Sequence, residues 1–448
     1  MPENFDTFRD PTLSMFQSLV DDVARKITEP SKAVGPKMRS LKRTGSSLRS
    51  IATDIALRET GQKPAGSGPA TRSLGGTSKF CAELALQYIK ALATGNEDDR
   101  AAVNAKYTGS TCDAAWVNTL KEYHAYFGAG GLRQIPYVSP SVIGRQIIPM
   151  KSEARVALVA DWGTGAQPAI QVLGAIRELE PDVLIHLGDI YYSGTPNECE
   201  ENFLAPINGT LRANRNCNVY TLSGNHDMYC GGVGYYDLIS RLNGDPFKQK
   251  ASFFCLRADD DSWQFLAMDT GLHDHSPYSV SDVTTWIEDD ELNWLCDRMQ
   301  EFNGQTILLS HHQLFSAFSA IGPEKDGTRS PLNPKLMKAF EALAAKGKIA
   351  GWFWGHEHSL TIYHEFAGLQ RGRCIGNGAI PVPDLEDIYE PVAGLLDAPK
   401  IVSNTMVATT GGVWNNGFAV LKLSNVSCDA SYFQVSNGES KLVYVESF

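Results

Sequence analysis

The feature that most constrains this chain is a series of short apolar segments that each run into glycine or a polar residue. From residue 154 onward, the runs VALVAD, VLIHLGD, YTLSGNHD, TILLSHH and GWFWGHEH are interspersed with the helical patterns 168–180, 283–302 and 334–345. Alternating strands and helices predict an α/β core. The late runs GFAVLKL, ASYFQV and LVYVES follow one another directly, which predicts an antiparallel finish.

The first third of the chain has a different pattern. Apolar residues recur at helical spacing in 11–28, and 79–95 and 113–127 also have helical patterns. We therefore predict a mostly helical N-terminal region of unknown role, residues 1–148, and an α/β domain, residues 149–448. Residues 25–49 carry eight Lys or Arg against one acid, which is typical of a solvated helix face or loop, or of a segment that contacts a partner or membrane.

Composition excludes several classes of protein. The net charge of −11 disfavours binding of long nucleic acids. The sequence has no run of 18 apolar residues, so no transmembrane segment is expected. The N-terminus lacks the pattern of a secretory signal, and the nine cysteines form no C-x-x-C pair, so we expect a cytoplasmic protein with reduced thiols.

Five of the predicted strands end in side chains of the metal-ligand type. In α/β sheets, sites are built in the crevice at the carboxyl ends of strands, and neighbouring glycines let the backbone turn sharply there. The candidate ligands are Asp161, Asp189, Tyr192, Asn225, His311, His356 and His358. Their donors are two carboxylates, a phenol, an amide oxygen and three imidazoles, too many for one tetrahedral ion. They suit two ions about 3.5–4 Å apart that share a carboxylate.

These motifs, D-x-G, G-D-x-x-Y, G-N-H-D, a strand-end histidine and G-H-x-H, resemble the calcineurin-like metallophosphoesterase superfamily in residues 154–425. Two details resemble its purple acid phosphatases. Gly163 stands where many members have a histidine, and Tyr192 supplies a phenol that those members lack. The resemblance implies a four-layer αββα sandwich with the helical N-terminal region appended.

The resemblance also implies a role for each residue. Asp161, Tyr192 and His358 would bind Fe(III), while Asn225, His311 and His356 would bind a divalent ion (Zn, Mn or Fe), with Asp189 as the bridge. The ions would generate a bridging hydroxide that attacks phosphorus. His226 would protonate the leaving group, and Asp227 would orient His226 through its other ring nitrogen.

One departure concerns the substrate side of the site. Purple acid phosphatases usually carry a further histidine several residues after the strand-end histidine, but HHQLFSAFSAIG contains none beyond His312. His312, His273 or His275 could take its place. Tyr229, in a glycine-rich loop, could stack on a substrate ring or pack within the loop.

We therefore predict a metal-dependent, acid phosphatase-like hydrolase that acts on small phosphomonoesters. The alternatives are a phosphodiesterase acting on cyclic nucleotides or on nucleotide or lipid diesters, and a non-catalytic scaffold of the same fold. Proteins that become scaffolds lose ligands, whereas this sequence retains all of them.

Overall fold

The computed structural model describes residues 122–123, 125–127, 134–276, 284–322, 329–382, 384, 387–392 and 394–448. The chain divides into two compact units, and the described residues belong almost entirely to the unit formed by Glu122–Ile380 and Asp387–Phe448. The predicted N-terminal helices up to residue 121 and the basic segment 25–49 lie outside the described residues. Within the described part, no helix has the length and apolarity that crossing a bilayer requires.

Among the described residues, fifteen strands form two large sheets and a short hairpin. In chain order they are β1 (Ile148–Met150), β2 (Arg155–Val159), β3 (Val183–His186), β4 (Asn218–Thr221), β5 (Phe254–Ala258), β6 (Trp263–Ala267), β7 (Gln305–Leu309), β8 (Lys348–Trp354), β9 (Leu360–Ile362), β10 (Gly372–Ile375), β11 (Thr409–Thr410), β12 (Val413–Trp414), β13 (Asn416–Leu423), β14 (Cys428–Ser436) and β15 (Glu439–Ser447). The seven-stranded sheet has the order β1-β5-β6-β7-β8-β10-β9, and the six-stranded sheet has the order β15-β14-β13-β2-β3-β4.

The helices are short and lie between the strands. They are α1 (Pro140–Ile143), α2 (Gln167–Glu178), α3 (Pro196–Glu198), α4 (Asn225–Met228), α5 (Val233–Leu242), α6 (Asp289–Gln300) and α7 (Pro334–Ala344). Two π-helical turns, Cys199–Leu204 and Ile207–Leu211, follow α3. Asn333 caps α7 by accepting hydrogen bonds from two backbone N–H groups of its first turn.

The two sheets face each other across one apolar core, and helices cover their outer faces. Along β2, Val156 and Leu158 face the core between the sheets, whereas Ala157 and Val159 face the layer that contains α2. This alternation follows from the two-residue period of a strand, and it explains why these strands are apolar throughout. Helices α6 and α7 cover the seven-stranded sheet in the same way. The predicted four-layer αββα sandwich is confirmed.

The topology brings two sets of strand ends together. Strands β2, β3 and β4 are parallel in one sheet, and β6, β7 and β8 are parallel in the other. The late strands β13, β14 and β15 are antiparallel, as the sequence predicts. Because parallel strands end at the same edge, the polar residues that follow β2, β3, β4, β7 and β8 meet at one end of the sandwich.

Some element boundaries differ from the prediction. The helix predicted over 283–302 begins at Asp289, and the described residues just before it are extended. The sequence pattern did not predict β5, which has no strand-end ligand. Ile143 and Ile147 pack on the core beside α6, so this stretch before residue 149 packs with the α/β unit.

Candidate metal centre

The backbone is strained at three of the predicted ligands. Asp161, Asp189 and His356 have φ angles of 54°, 74° and 65°, a region that residues other than glycine rarely occupy. Such strain is concentrated at functional sites, where the surrounding structure holds it. At Gly224 a side chain is excluded, since a Cβ there would lie 2.1 Å from Asp189 Oδ1. The loops are therefore shaped to bring these carboxylates close to their neighbours.

One group of donors gathers around the Asp161 carboxylate, which is fully buried. Its Oδ1 lies 3.6 Å from Nε2 of His358 and accepts a hydrogen bond of 3.1 Å from the Tyr191 hydroxyl. The same hydroxyl lies 3.3 Å from Asp189 Oδ2 and 3.3 Å from His358 Nε2. The four donor atoms of this first group therefore surround one small volume.

The second group lies on the other side of Asp189. His311 Nε2 is 3.1 Å from Asn225 Oδ1 and 3.5 Å from Asp189 Oδ2. His356 Nδ1 is 3.0 Å from the same Asn225 oxygen and 3.2 Å from His311 Nε2. Asp189 Oδ2 thus takes part in both groups, which is the position expected of a bridging carboxylate.

Hydrogen bonds around the second group determine which atoms are acceptors. His311 Nδ1 is 2.9 Å from the carbonyl oxygen of Leu187, so Nδ1 carries the proton. Burial lowers the pKa of His311 well below its usual value, which leaves Nε2 as an unprotonated acceptor. Asn225 Nδ2 donates to the Tyr229 hydroxyl at 2.6 Å, so Asn225 Oδ1 faces that nitrogen. Two acceptor atoms, His311 Nε2 and Asn225 Oδ1, therefore face each other in this group.

The buried carboxylates also lack enough positive charge around them. Burial, followed by the charges of Asp161 and Asp227, raises the pKa of Asp189 well above its usual value. In the described part of the chain, the cationic groups within ion-pair distance of Asp161 and Asp189 are histidines, without a lysine or arginine. Buried carboxylates require a compensating partner. The donor sets His311–His312–His356 and Asp161–Asp189–His311, which share His311, are each compact enough to hold an ion, so the residues present fit metal binding.

His226 lies beside this centre with its orientation fixed by the backbone. Its Nδ1 is 2.8 Å from the carbonyl oxygen of Tyr192, and its Nε2 is 3.9 Å from Asp189 Oδ2. Burial lowers the pKa of His226 to about 3. Nδ1 therefore holds the proton of the neutral ring, and Nε2 is the atom that can exchange a proton at the centre.

The structure corrects the role expected of Asp227. We expect its carboxylate at Nδ1 of His226, but the Tyr192 carbonyl takes that position. Asp227 instead accepts three backbone N–H groups: Gly224 at 2.7 Å, Asp189 at 2.9 Å and Ile190 at 3.1 Å. In the first turn of α4, the third residue reaches back to the amide that precedes the helix. Asp227 thus ties the loop after β3 to the loop after β4.

His312 lies next to the second group but has both ring nitrogens engaged. Nδ1 is 3.0 Å from Thr270 Oγ1, and Nε2 is 3.1 Å from Asp274 Oδ2. Its ring lies 4.4 Å from the ring of His356. The expectation that His312 acts on substrate therefore requires an exchange of one of these hydrogen bonds. Burial raises the pKa of Asp274 to about 7, and its Oδ1 has no hydrogen-bond partner among the described residues.

The three predicted substrate contacts lie in different surroundings. Tyr229 is fully buried and supports Asn225, so its ring has no exposed face for a substrate. The His273 ring stacks on Trp286 at 3.8 Å, and its Nε2 pairs with Glu288 at 2.8 Å. The structure thus places His273 in a surface cluster.

His275 is the third predicted substrate contact, and it is partly exposed. Its ring lies 5.0 Å from the ring of Phe127, and its Nδ1 lies 3.4 Å from the carbonyl oxygen of Leu272. His273 and His275 flank Asp274, the partner of His312, and both are partly exposed.

Sequence reasoning missed Tyr191, Asp274 and Glu198. Glu198 accepts hydrogen bonds from the backbone N–H groups of Tyr192, Ser193 and Thr195, which fixes the path of the chain after β3. The pattern T-P-N-E, with a capping threonine three residues before a glutamate, is a signal that predicts this arrangement. The spacing G-D-x-x-Y points to Tyr192, and no sequence signal points to its neighbour Tyr191.

Comparison with known proteins agrees with this fold. The calcineurin-like phosphoesterase family matches residues 154–360, the segment that contains all six strand-end ligands just described. This part of the chain is thus similar to calcineurin-like phosphoesterases. No curated protein matches the chain.

Solved structures similar to this chain share little sequence with it. One is GAP50, the anchor in the inner membrane complex of Plasmodium, at 13% identity, covering 66% of this chain and 89% of that one, with a TM-score of 0.43. A dimetal phosphatase from Danio rerio is 12% identical, covers 65% and 99%, and has a TM-score of 0.39. A Vps29 mutant from Entamoeba histolytica is 11% identical, covers 66% and 99%, and has a TM-score of 0.28.

Proposed function

We propose that this protein is a binuclear-metal phosphomonoesterase of the purple acid phosphatase type. The observation that carries the proposal is the convergence of acceptor atoms at the strand ends. His311 Nε2 lies 3.1 Å from Asn225 Oδ1 and 3.5 Å from Asp189 Oδ2. Such an arrangement is repulsive unless a proton or a metal cation lies among these atoms, and a metal ion compensates all of them together.

The proposed ligands divide between two ions. Asp161, His358 and a tyrosine phenol would hold the first, for which a hard phenolate favours Fe(III). Asn225, His311 and His356 would hold the second, a divalent ion such as Zn, Mn or Fe, and Asp189 would be shared. When bound, two such ions lower the pKa of a water molecule bound to them to near neutrality, and they neutralise the charge of the phosphate group.

The residues around the ions supply orientation and proton transfer. The Tyr192 carbonyl holds the Nδ1–H of His226, so Nε2 is directed toward the centre and would exchange the proton that the leaving group needs. The Leu187 carbonyl holds His311 in the same manner, which keeps its Nε2 free for an ion. Asp227 keeps the two metal-bearing loops together through their amides.

An assay with full-length protein tests the proposal. The protein is stripped with a chelator, reloaded with Fe(III) and Zn or Mn, analysed for metal, and assayed with 4-nitrophenyl phosphate and bis(4-nitrophenyl) phosphate. We expect two ions per chain and faster hydrolysis of the monoester. Faster hydrolysis of the diester would show that the protein is a phosphodiesterase and not a phosphomonoesterase. Protein that binds two ions and cleaves neither compound would refute a hydrolytic function.

A matched pair of histidine variants serves as the control. His356→Ala removes a proposed ligand and should lower metal content and the hydrolysis rate, the latter by on the order of 10²-fold. His364→Ala alters an exposed histidine beyond β9 and should leave both unchanged. Equal behaviour of the two variants would contradict the proposed ligand set.

A further inference from the structure

Tyr191 and Tyr192 are adjacent in the chain shortly after Asp189, and their side chains have different surroundings. The spacing G-D-x-x-Y designates Tyr192 as the phenol ligand, but the structure brings the hydroxyl of Tyr191 to the first group of donors. We propose that Tyr191, and not Tyr192, supplies the phenolate of the first metal site. This inference rests on the proposed metal centre and identifies one of its ligands.

The distances around the Tyr191 hydroxyl are those of a shared coordination sphere. Its oxygen lies 3.1 Å from Asp161 Oδ1, 3.3 Å from Asp189 Oδ2 and 3.3 Å from His358 Nε2. Donor atoms that each lie about 2.0–2.2 Å from one ion are separated from one another by roughly 3–3.5 Å at tetrahedral or octahedral angles. The three neighbours of this hydroxyl are the three other residues proposed at the first ion.

The Tyr191 hydroxyl also faces more acceptor atoms than it has protons to donate. A phenol has one proton to donate, and the Tyr191 oxygen faces two carboxylate oxygens and an imidazole nitrogen. Tyr191 is almost fully buried, with 2% of its surface exposed. An ion held by these four donor atoms would take the place of the phenol proton, which would pass to solvent.

The backbone of Tyr192 has a separate role. Its carbonyl accepts the hydrogen bond from His226 at 2.8 Å, and its N–H donates to Glu198 at 2.6 Å. These bonds fix the main chain on both sides of the Tyr192 side chain. Replacing Tyr192 with Phe keeps both bonds, so it removes a hydroxyl without altering the orientation of His226.

Reconstitution with Fe(III) in two matched variants tests the assignment. Apo forms of the wild type, Tyr191→Phe and Tyr192→Phe are loaded with Fe(III) from a weak chelate, and both bound iron and the visible phenolate-to-iron band are measured. We expect the band in the wild type and in Tyr192→Phe. In Tyr191→Phe we expect loss of the band and an iron affinity lower by at least about tenfold.

The opposite results would overturn the assignment. A band that disappears in Tyr192→Phe while iron stays bound, a band that persists in Tyr191→Phe, or a wild type that binds Fe(III) without a band would each refute it. If Tyr191→Phe does not fold, as judged by circular dichroism, Tyr192→Phe decides the question alone. A wild type that shows the band but cleaves no ester would sink the proposed function and leave this ligand assignment intact.

Discussion

Replacing Asp227 with Asn would separate its two candidate roles, clamping the metal-bearing loops or orienting His226. The buried carboxylate accepts three N–H groups, and the Asn side chain can keep at most two of them because its NH₂ group is itself a donor. One charge-assisted hydrogen bond contributes about 1.5–3 kcal/mol, and the buried N–H left without an acceptor costs a further ~1–3 kcal/mol.

Removing the buried charge offsets part of this loss. Burial raises the pKa of Asp227 to about 7, although the three N–H donors favour the anion and so act to lower that pKa. We therefore expect Asp227→Asn to lower the free energy of unfolding by a net ~1–3 kcal/mol. Because the broken contacts belong to the loops that carry Asp189 and Asn225, the affinity for metal should fall as well.

The assay compares unfolding, metal content and leaving-group dependence in three variants. Asp227→Asn should lose stability and metal affinity but keep the wild-type ratio of rates for good and poor leaving groups. His226→Gln should slow esters with poor leaving groups selectively, since it removes the proton-exchanging nitrogen. Asp237→Asn, which alters an exposed carboxylate on α5, is the control. Wild-type stability and metal content in Asp227→Asn, together with the leaving-group dependence of His226→Gln, would show that Asp227 orients His226.

Three further perturbations test the packing around the centre. Burial lowers the pKa of His186 to about 3, so as the pH falls below 6.5 the unfolded chain binds a proton before the folded chain does. Between about pH 6.5 and pH 5 the free energy of unfolding of the wild type should therefore fall by about 2 kcal/mol relative to that of His186→Phe, measured by urea unfolding. Arg373→Met removes the two-pronged partner of Glu446 across the two sheets and leaves it the Tyr432 hydroxyl and Arg371; it should cost about 1.5–3 kcal/mol, with partial recovery in a double variant that also replaces Glu446 by Leu. Gly224→Ala places a methyl group 2.1 Å from Asp189 Oδ1 and should lower metal content more than Gly209→Ala, where the added carbon meets open space.

The sequence predicted the features that follow from periodicity and from strand ends. Strands that are apolar on both faces predict burial between layers, and a polar residue after a parallel strand predicts a position at the sheet edge. Both rules held for Asp161, Asp189, Asn225 and His311, which the structure brings within hydrogen-bonding or ion-pair distance of other members of the proposed centre. These rules depend only on local repeats, which the sequence displays directly.

The differences between the expected and the observed surroundings of the candidate residues concern the direction of side chains in loops and short helices. Asp227 follows His226 in the chain, but successive residues of a helical turn point about 100° apart, so adjacency does not imply contact. The direction of Tyr191 depends on how Glu198 binds the amides of the intervening loop. The His273 ring stacks on Trp286, which lies thirteen positions further along the chain. Each outcome depends on a residue outside the motif, so the motif alone does not predict it.

The strained backbone links the ligands to one another. A residue in the left-handed region costs of order 1–3 kcal/mol, and Asp161, Asp189 and His356 all adopt it. The N–H group of each is held within the centre: Asp161 by the Gly188 carbonyl at 3.0 Å, Asp189 by Asp227 at 2.9 Å, and His356 by the Asp161 carboxylate at 2.8 Å.

Asp161 therefore acts on both groups of donors. Its Oδ1 faces Tyr191 and His358, while its Oδ2 holds the backbone of His356, a member of the second group. A substitution that removes this carboxylate eliminates a ligand of the first ion and also releases the strained backbone that presents a ligand to the second. Because the two groups share this support, loss of Asp161 should abolish binding at both positions, whereas loss of His358, whose described contacts lie in the first group, should spare the second.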